Sequence, residues 1–256
     1  MILTVDIGNT NIVIGCFEKK ELLFLERLST HRLRTAADYM VRIHQLLSIY
    51  QLTPEQIEGS ILSSVVPPLT DTLSDAVHRL TGSAPLIVGP GIRTGLNILM
   101  DHPAQVGSDL IVAAVAGMLD YSLPVIIIDM GTATTFSAVD QKKNYLGTII
   151  LPGVRTSMDS LSSATSQLPR IALEAPGRVL GKNTTESMQS GAIFGNAACI
   201  DGMIDRIEEE LGQSATIVAT GGLAPAVTRY CRRDIITDDD LVLKGLLYLY
   251  DMNHAS

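Results

Sequence analysis

The sequence predicts an α/β fold of two duplicated halves, each a mixed β-sheet flanked by helices. Two observations carry that prediction. The phrase TVDIGNTN at 4–11 returns as IIDMGTATT at 127–135, each time a β-rich run ending in Asp-x-Gly before small hydroxylated residues. After each copy the strands come first as hairpins and then alternate with helices, so the order of elements repeats as well. Two such copies suggest similar halves facing each other across a nucleotide, with the active-site cleft between them. The expected halves are residues 1–120, holding one Asp-x-Gly turn, and 121–256, holding the other.

Composition narrows the class. At 256 residues the chain can bury one large core or two smaller ones. Hydrophobic residues make up 46% and charged residues 18%, a globular balance rather than a disordered one. No apolar run approaches the ~20 residues of a membrane span. The opening MILTVDIG carries no basic segment before its apolar residues, so no signal peptide is expected. Cys16, Cys199 and Cys231 form no CxxC pair and read as reduced thiols of a cytoplasmic protein. A net charge of −8 argues against a nucleic-acid partner. A phosphorylated ligand would therefore be held by backbone N–H groups and cations.

Along the chain, alternation predicts a strand, a GNT turn and a second strand over 1–17, then a turn at Lys19-Lys20 and a strand over 22–28. Apolar Met40, Ile43, Leu46 and Leu47 give 36–50 helical spacing. A strand over 60–66 is expected to stop at Pro67-Pro68, with a helix over 69–81 and a short strand at 85–88. Residues 92–106 are irregular, and 108–119 form an apolar helix. The second half reads as strands at 125–129, 136–139 and 146–151, with GTATT as the turn. Helices follow at 156–165 and 185–207, the second interrupted near Gly191 or Gly195. A strand at 215–219 runs into Gly221-Gly222, and a helix at 241–251 closes the pattern.

In the first turn Gly8 permits close backbone approach to a ligand, and Asn9 and Thr10 offer amide and hydroxyl donors. Asp6 suits Mg²⁺, directly or through water, because hard cations take oxygen ligands. The alternative is an ordinary β-turn whose Asp bonds its own backbone. Recurrence at Asp129 to Thr132 favours function. Gly221-Gly222 would let a flat purine or ribose lie on bare backbone, or is simply a strand-to-helix turn. Neither GxxxxGK(S/T) nor GxGxxG occurs, which disfavours a P-loop or dinucleotide site. Asp109 opens an apolar helix, where it either caps or serves as a base kept ionised by the helix dipole. Thr184 either caps the next helix or touches a substrate.

With these residues in view, the chain resembles the type III pantothenate kinases of the acetate-and-sugar-kinase/actin-like superfamily, whose halves are ribonuclease H-like. The resemblance runs through DIGNTNIVIG at 6–15, DHPAQVGSD at 101–109, DMGTATTFSAVD at 129–140, GTIILPG at 147–153, GKNTTESMQSGAIFG at 181–195 and ATGGLA at 219–224. Proteins known as Bvg accessory factors resemble the same family. The resemblance implies transfer of the ATP γ-phosphate to the primary hydroxyl of pantothenate, the first step of coenzyme A synthesis. It implies that Asp6, Ile7, Gly8, Asn9, Thr10, Asn11, Ile12, Val13 and Thr132 bind ATP, with Asp6 near Mg²⁺. Asp109 would accept the proton, and Gly107, Ser108, Asp109, Leu110 and Thr184 would form the pantothenate pocket. Asp129 would hold a monovalent cation, K⁺ or NH₄⁺, and the protein would be a homodimer.

The chain departs from the family at two points of that pocket. The family pattern is Gly-x-Asp-Arg, where this chain has Leu110, and Met100 stands where an aromatic is often found. Leucine cannot replace a fork of charged donors. Two further readings therefore stay open: a nucleotide-binding regulatory protein without catalysis, and a kinase of another small hydroxylated metabolite.

Overall fold

The computed structural model describes residues 1–254. The chain forms two compact units. The first comprises Met1–Gly95, Asp101–Ala116 and the segment from Asp240 onward; the second comprises Leu96–Met100 and Gly117–Asp239.

In the first unit β1 (Ile2–Ile7), β2 (Asn11–Glu18) and β3 (Glu21–Ser29) form two hairpins. Helix α1 (Ala36–Ile49) starts at a capping box in which Thr35 Oγ1 accepts from the Asp38 amide and Asp38 Oδ2 accepts from the Thr35 amide. Strand β4 (Gly59–Ser64), helix α2 (Pro67–Thr81) and strand β5 (Leu86–Ile87) follow. Pro67 and Pro68 do not merely stop the strand. They form the first turn of α2, where a missing N–H costs nothing.

Strand order in this sheet is β3-β2-β1-β4-β5, with β1 antiparallel to β2 and parallel to β4. One face of β1 presents Leu3, Val5 and Ile7 to a core completed by Tyr39, Ile43 and Leu47 of α1 and Leu69, Leu73 and Val77 of α2.

The second unit takes in β6 (Asn97–Ile98) from the stretch expected to be irregular. Helix α3 (Ser108–Asp120) leads into β7 (Val125–Met130), β8 (Ala133–Val139) and β9 (Asn144–Pro152). The β7–β8 turn is tighter than the expected GTATT loop, because Ala133, Thr134 and Thr135 already pair with β7 and β9. Then come α4 (Val154–Ala164), α5 (Thr184–Ser190), a π-helical turn (Gly191–Gly195) and α6 (Asn196–Leu211). The expected interruption in that long helix is this wider turn. There Asn196 Nδ2 donates to the Ala192 carbonyl at 2.8 Å, a side-chain partner where backbone pairing shifts. Strand β10 (Thr216–Thr220), α7 (Ala224–Thr228), β11 (Ile236–Thr237) and α8 (Leu241–His254) complete the chain.

The second sheet runs β11-β10-β7-β8-β9-β6. Read from β9, its order β9-β8-β7-β10-β11 reproduces β3-β2-β1-β4-β5, with β7 antiparallel to β8 and parallel to β10. Even the irregularities correspond, since register slips at Cys16/Phe17 in one hairpin and at Ala138/Val139 in the other. The duplication is therefore one of topology as well as of motif.

Helix α8, which the sequence boundary at 120 assigned to the second half, belongs to the first unit. Small residues draw it there. The Leu243 side chain lies over bare Gly15, the Tyr250 hydroxyl over bare Gly59, and Gly245 meets the Val112 carbonyl of α3. A Cβ at 245 would fall 2.1 Å from that oxygen, and backbone cannot yield as a flexible side chain can. Gly245→Ala is expected to cost about 1–3 kcal/mol of stability, as overpacking does. Equilibrium unfolding of the variant checks this, and a melting curve unchanged from wild type would contradict it.

Candidate active site

The first Asp-x-Gly turn closes the β1–β2 hairpin. Ile7 pairs with Ile12, and the Gly8 amide donates to the Asn11 carbonyl at 3.0 Å. A Cβ on Gly8 would stand 2.9 Å from that carbonyl, so the tight turn depends on glycine. Asn9, Thr10 and Asn11 are exposed, while Ile7 and Ile12 are fully buried. Of the residues expected to bind ATP, those two isoleucines have only backbone to offer; their side chains belong to the core. Thr30 braces the turn from β3's end, its hydroxyl donating to the Gly8 carbonyl at 2.7 Å and its amide to the Thr10 carbonyl at 2.9 Å.

Asp6 is half-buried at the end of β1, in register with Val13 of β2 and Ser63 of β4. Ser63 connects this edge to α3. Its hydroxyl lies 2.9 Å from Ser108 Oγ, which also accepts from the Ser64 amide at 3.2 Å and lies 3.1 Å from the Ser64 carbonyl. The start of α3 is thus stitched to the end of β4, one strand away from Asp6. Asp6, the exposed turn and Gly107 to Leu110 come together in one unit. Ser63, Ser64 and Thr30 were not singled out from sequence; the Ser-Ser pair ending an apolar strand was the available signal.

Asp109 does not cap α3 in the usual way, which would require accepting from an amide two or three positions on. Its Oδ1 accepts from the next amide, Leu110 N, at 2.8 Å. Gly107 leaves room for that geometry, since a Cβ there would lie 2.5 Å from the same oxygen. Burial pushes the Asp109 carboxyl above the ordinary aspartate value, and the amides of Leu110 and Asp109 offset this only in part. Desolvation, which a reading of the helix start alone leaves out, is the largest influence on this carboxyl. A raised pKa makes it a stronger base than a surface carboxylate. Leu110 is half-buried beside it, with its Cγ 3.8 Å from the space a Cβ at Gly107 would take.

In the second unit Asp129 ends β7 in register with Thr135 of β8 and Thr220 of β10. Partners in register project to one face, so a carboxylate stands between two threonines. Gly221, with φ +93°, lies against it; a Cβ there would sit 2.7 Å from Asp129 Oδ1. This gives one half of the Gly221-Gly222 pair a reason independent of purine stacking. Thr132 occupies the β7–β8 turn, and its carbonyl accepts from Gly153 N at 3.0 Å and Thr156 Oγ1 at 2.7 Å. Those bonds tie the turn to the start of α4.

Thr184 lies elsewhere in this unit, at the first position of α5. Asn183 takes the cap, its Oδ1 accepting from the Glu186 amide at 2.9 Å, which leaves Thr184 on the rim of a cavity. That cavity, of about 720 Å³, lies along α4, α5 and the π-helical turn. Met158, Leu161, Leu168 and Met188 supply its apolar lining, and Lys182, Asn183, Thr184, Ser187 and Asn196 its polar groups.

Two sheets that share a five-strand order, each with an Asp-x-Gly turn beside its central strand, define a duplicated α/β fold. Fold comparison agrees. A Campylobacter jejuni protein assigned to the Baf family of transcriptional activators superposes with TM-score 0.60 at 17% identity, covering 99% of this chain and 100% of that one. A candidate 2-dehydro-3-deoxygalactonokinase from Sinorhizobium meliloti gives 0.56 at 10% identity over 100% and 98%. The chain belongs to the type III pantothenate kinase family, whose model matches residues 2–206. Type III pantothenate kinases of Exiguobacterium sibiricum and of Exiguobacterium strain AT1b are 44% and 43% identical over 253 residues. These matches span 99% of this chain and 100% and 99% of the respective relatives.

Asp109→Asn separates the two consequences of burying this carboxylate. Its folded-state pKa is raised, so its contribution to stability is fully present below the unfolded value of 3.8 and is lost as pH rises through the folded one. At neutral pH the ionised form therefore costs stability. The asparagine variant is expected to melt no lower than wild type while losing roughly 10²–10⁴-fold in turnover. A thermal melt beside steady-state rates tests both, and near-normal turnover would return Asp109 to a structural role.

Proposed function

We propose that this chain transfers the γ-phosphoryl group of ATP to the primary hydroxyl of pantothenate, giving 4'-phosphopantothenate, the first step of coenzyme A synthesis. The observation that carries this reading is the Ser63–Ser108 link. It joins the base-bearing start of α3 to the sheet edge that holds Asp6 and its exposed turn.

The chemistry follows from those groups. Asp109 takes the proton of the attacking hydroxyl as its oxygen bonds to Pγ, the bond from Pγ to the bridging oxygen breaks, and ADP leaves with that electron pair. Phosphoryl transfer asks mainly for positioning and charge neutralisation. Amides of the exposed Asn9-Thr10-Asn11 turn donate to phosphate oxygens. Gly107, Ser108 and Leu110, beside the base in the first unit, orient pantothenate. With leucine at 110, recognition of its carboxylate falls to other donors.

Two cations fit the oxygen donors present. Mg²⁺ is commonly held by one or two carboxylates together with substrate phosphates, and Asp6 supplies such a carboxylate at the turn. Asp129, flanked by Thr135 and Thr220, offers oxygens for K⁺ or NH₄⁺. When bound, the cations neutralise charge on the phosphates.

Other parts of the reading rest on broader features. Exposed Ile150, Val179 and Leu180 in the second unit favour burial in a homodimer. A cytoplasmic setting accords with thiols that burial pushes up to about 11 at Cys16 and about 12 at Cys231, protonated and inert. Among the described residues no helix is long and apolar enough to cross a membrane.

Coupled assay of ADP formation is expected to show turnover that depends on pantothenate. Its absence at saturating ATP, Mg²⁺ and K⁺ would refute the proposal, and turnover with a different alcohol would redirect it. Exchanging K⁺ for Na⁺ is expected to lower the rate severalfold, and Asp129→Ala to remove that difference. Equal rates in the two salts would dismiss the monovalent site.

A further inference from the structure

The eight residues from Asp6 to Val13 contain no lysine or arginine, yet triphosphate chemistry calls for positive charge. A cationic side chain does reach this turn: Arg32 Nη2 donates to Asn9 Oδ1 at 3.3 Å. We propose that Arg32 is a nucleotide-binding residue that engages the γ-phosphate of ATP and so distinguishes the triphosphate from the diphosphate. The inference rests on the reading of the first turn as an ATP site.

The backbone around Arg32 is fixed on both sides. Before it, Thr30 is tied to Gly8 and Thr10 of the turn itself. The fully buried Tyr39 accepts from the His31 amide at 3.2 Å and donates to the His31 carbonyl at 3.0 Å. After it, the Arg34 amide donates back to His31 at 3.2 Å, and the capping box of α1 begins at Thr35. A protruding His31–Arg34 turn results, with Leu33 98% exposed at its tip.

The Arg32 side chain, by contrast, is exposed and bonded only to a neutral amide oxygen. Among the described residues no carboxylate pairs with it. A phosphate oxygen is a better acceptor for guanidinium than an amide oxygen, and two N–H groups can bond it in parallel. The exchange of Asn9 for phosphate therefore needs little rearrangement: the anchor stays in place and the head turns.

Equilibrium binding of Mg·ATP and Mg·ADP to wild type, Arg32→Ala and Arg32→Lys tests the assignment. The alanine variant is expected to bind ATP about tenfold or more weakly, as loss of a charge-assisted bond does, with ADP changed less than about threefold. Its KM for ATP rises accordingly, lysine restores part of the loss, and the melting temperature stays close to wild type. Equal losses for both nucleotides with a lowered melting temperature would make Arg32 a structural tether and overturn the proposal. Unchanged ATP affinity would overturn it while leaving the kinase reading intact. Failure of the wild-type chain to bind ATP would overturn both.

Discussion

The hydroxyl of Ser108 joins α3 to β4 through Ser63 and Ser64, and the chemical geometry of the first unit depends on it. Without that anchor the position of Asp109 would be set only by apolar packing of α3, which is non-directional. Packing encloses this helix on every side, since the six consecutive residues Ile111 through Ala116 are all buried. It does not fix where the helix begins to within the fraction of an ångström that proton transfer requires. Hydrogen bonds to a strand end supply that register, because the strand is itself locked to β1 residue by residue.

The duplicated sheets show how one topology supports two chemistries. In each, the central strand ends in aspartate and glycine, but the neighbours differ. Asp6 stands beside Ser63, whose hydroxyl is committed to α3. Asp129 stands between two threonines with Gly221 pressed against it. The first arrangement links an acid to a helix start; the second surrounds an acid with oxygens. Symmetry in the backbone thus leaves room for divergence in the side chains that project from it.

Much of this was legible in the sequence. The alternating runs and the repeated Asp-x-Gly phrase anticipated both hairpins, and glycines marked the place of the π-helical turn. What escaped was set by contacts remote in sequence. Nothing near residue 245 says that α8 packs on β1 and α3; Gly15, Gly59 and Val112 decide that, each over 130 residues earlier. The raised pKa of Asp109 escaped for a similar reason. A helix terminus can be read locally, whereas desolvation depends on whatever folds over it. Proline after a strand has two local readings, stop or helix start, and at Pro67-Pro68 both apply.

The placement of α8 also bears on how the chain is made. The face of the first sheet that carries Thr4, Gly15 and Gly59 is covered by residues 243–250. As a ribosome extends the chain, that face is complete long before its cover exists. The second unit is synthesised in the interval and has every one of its own segments available first. The first sheet is therefore sealed after the second, because its cover is made only once every segment of the second unit exists.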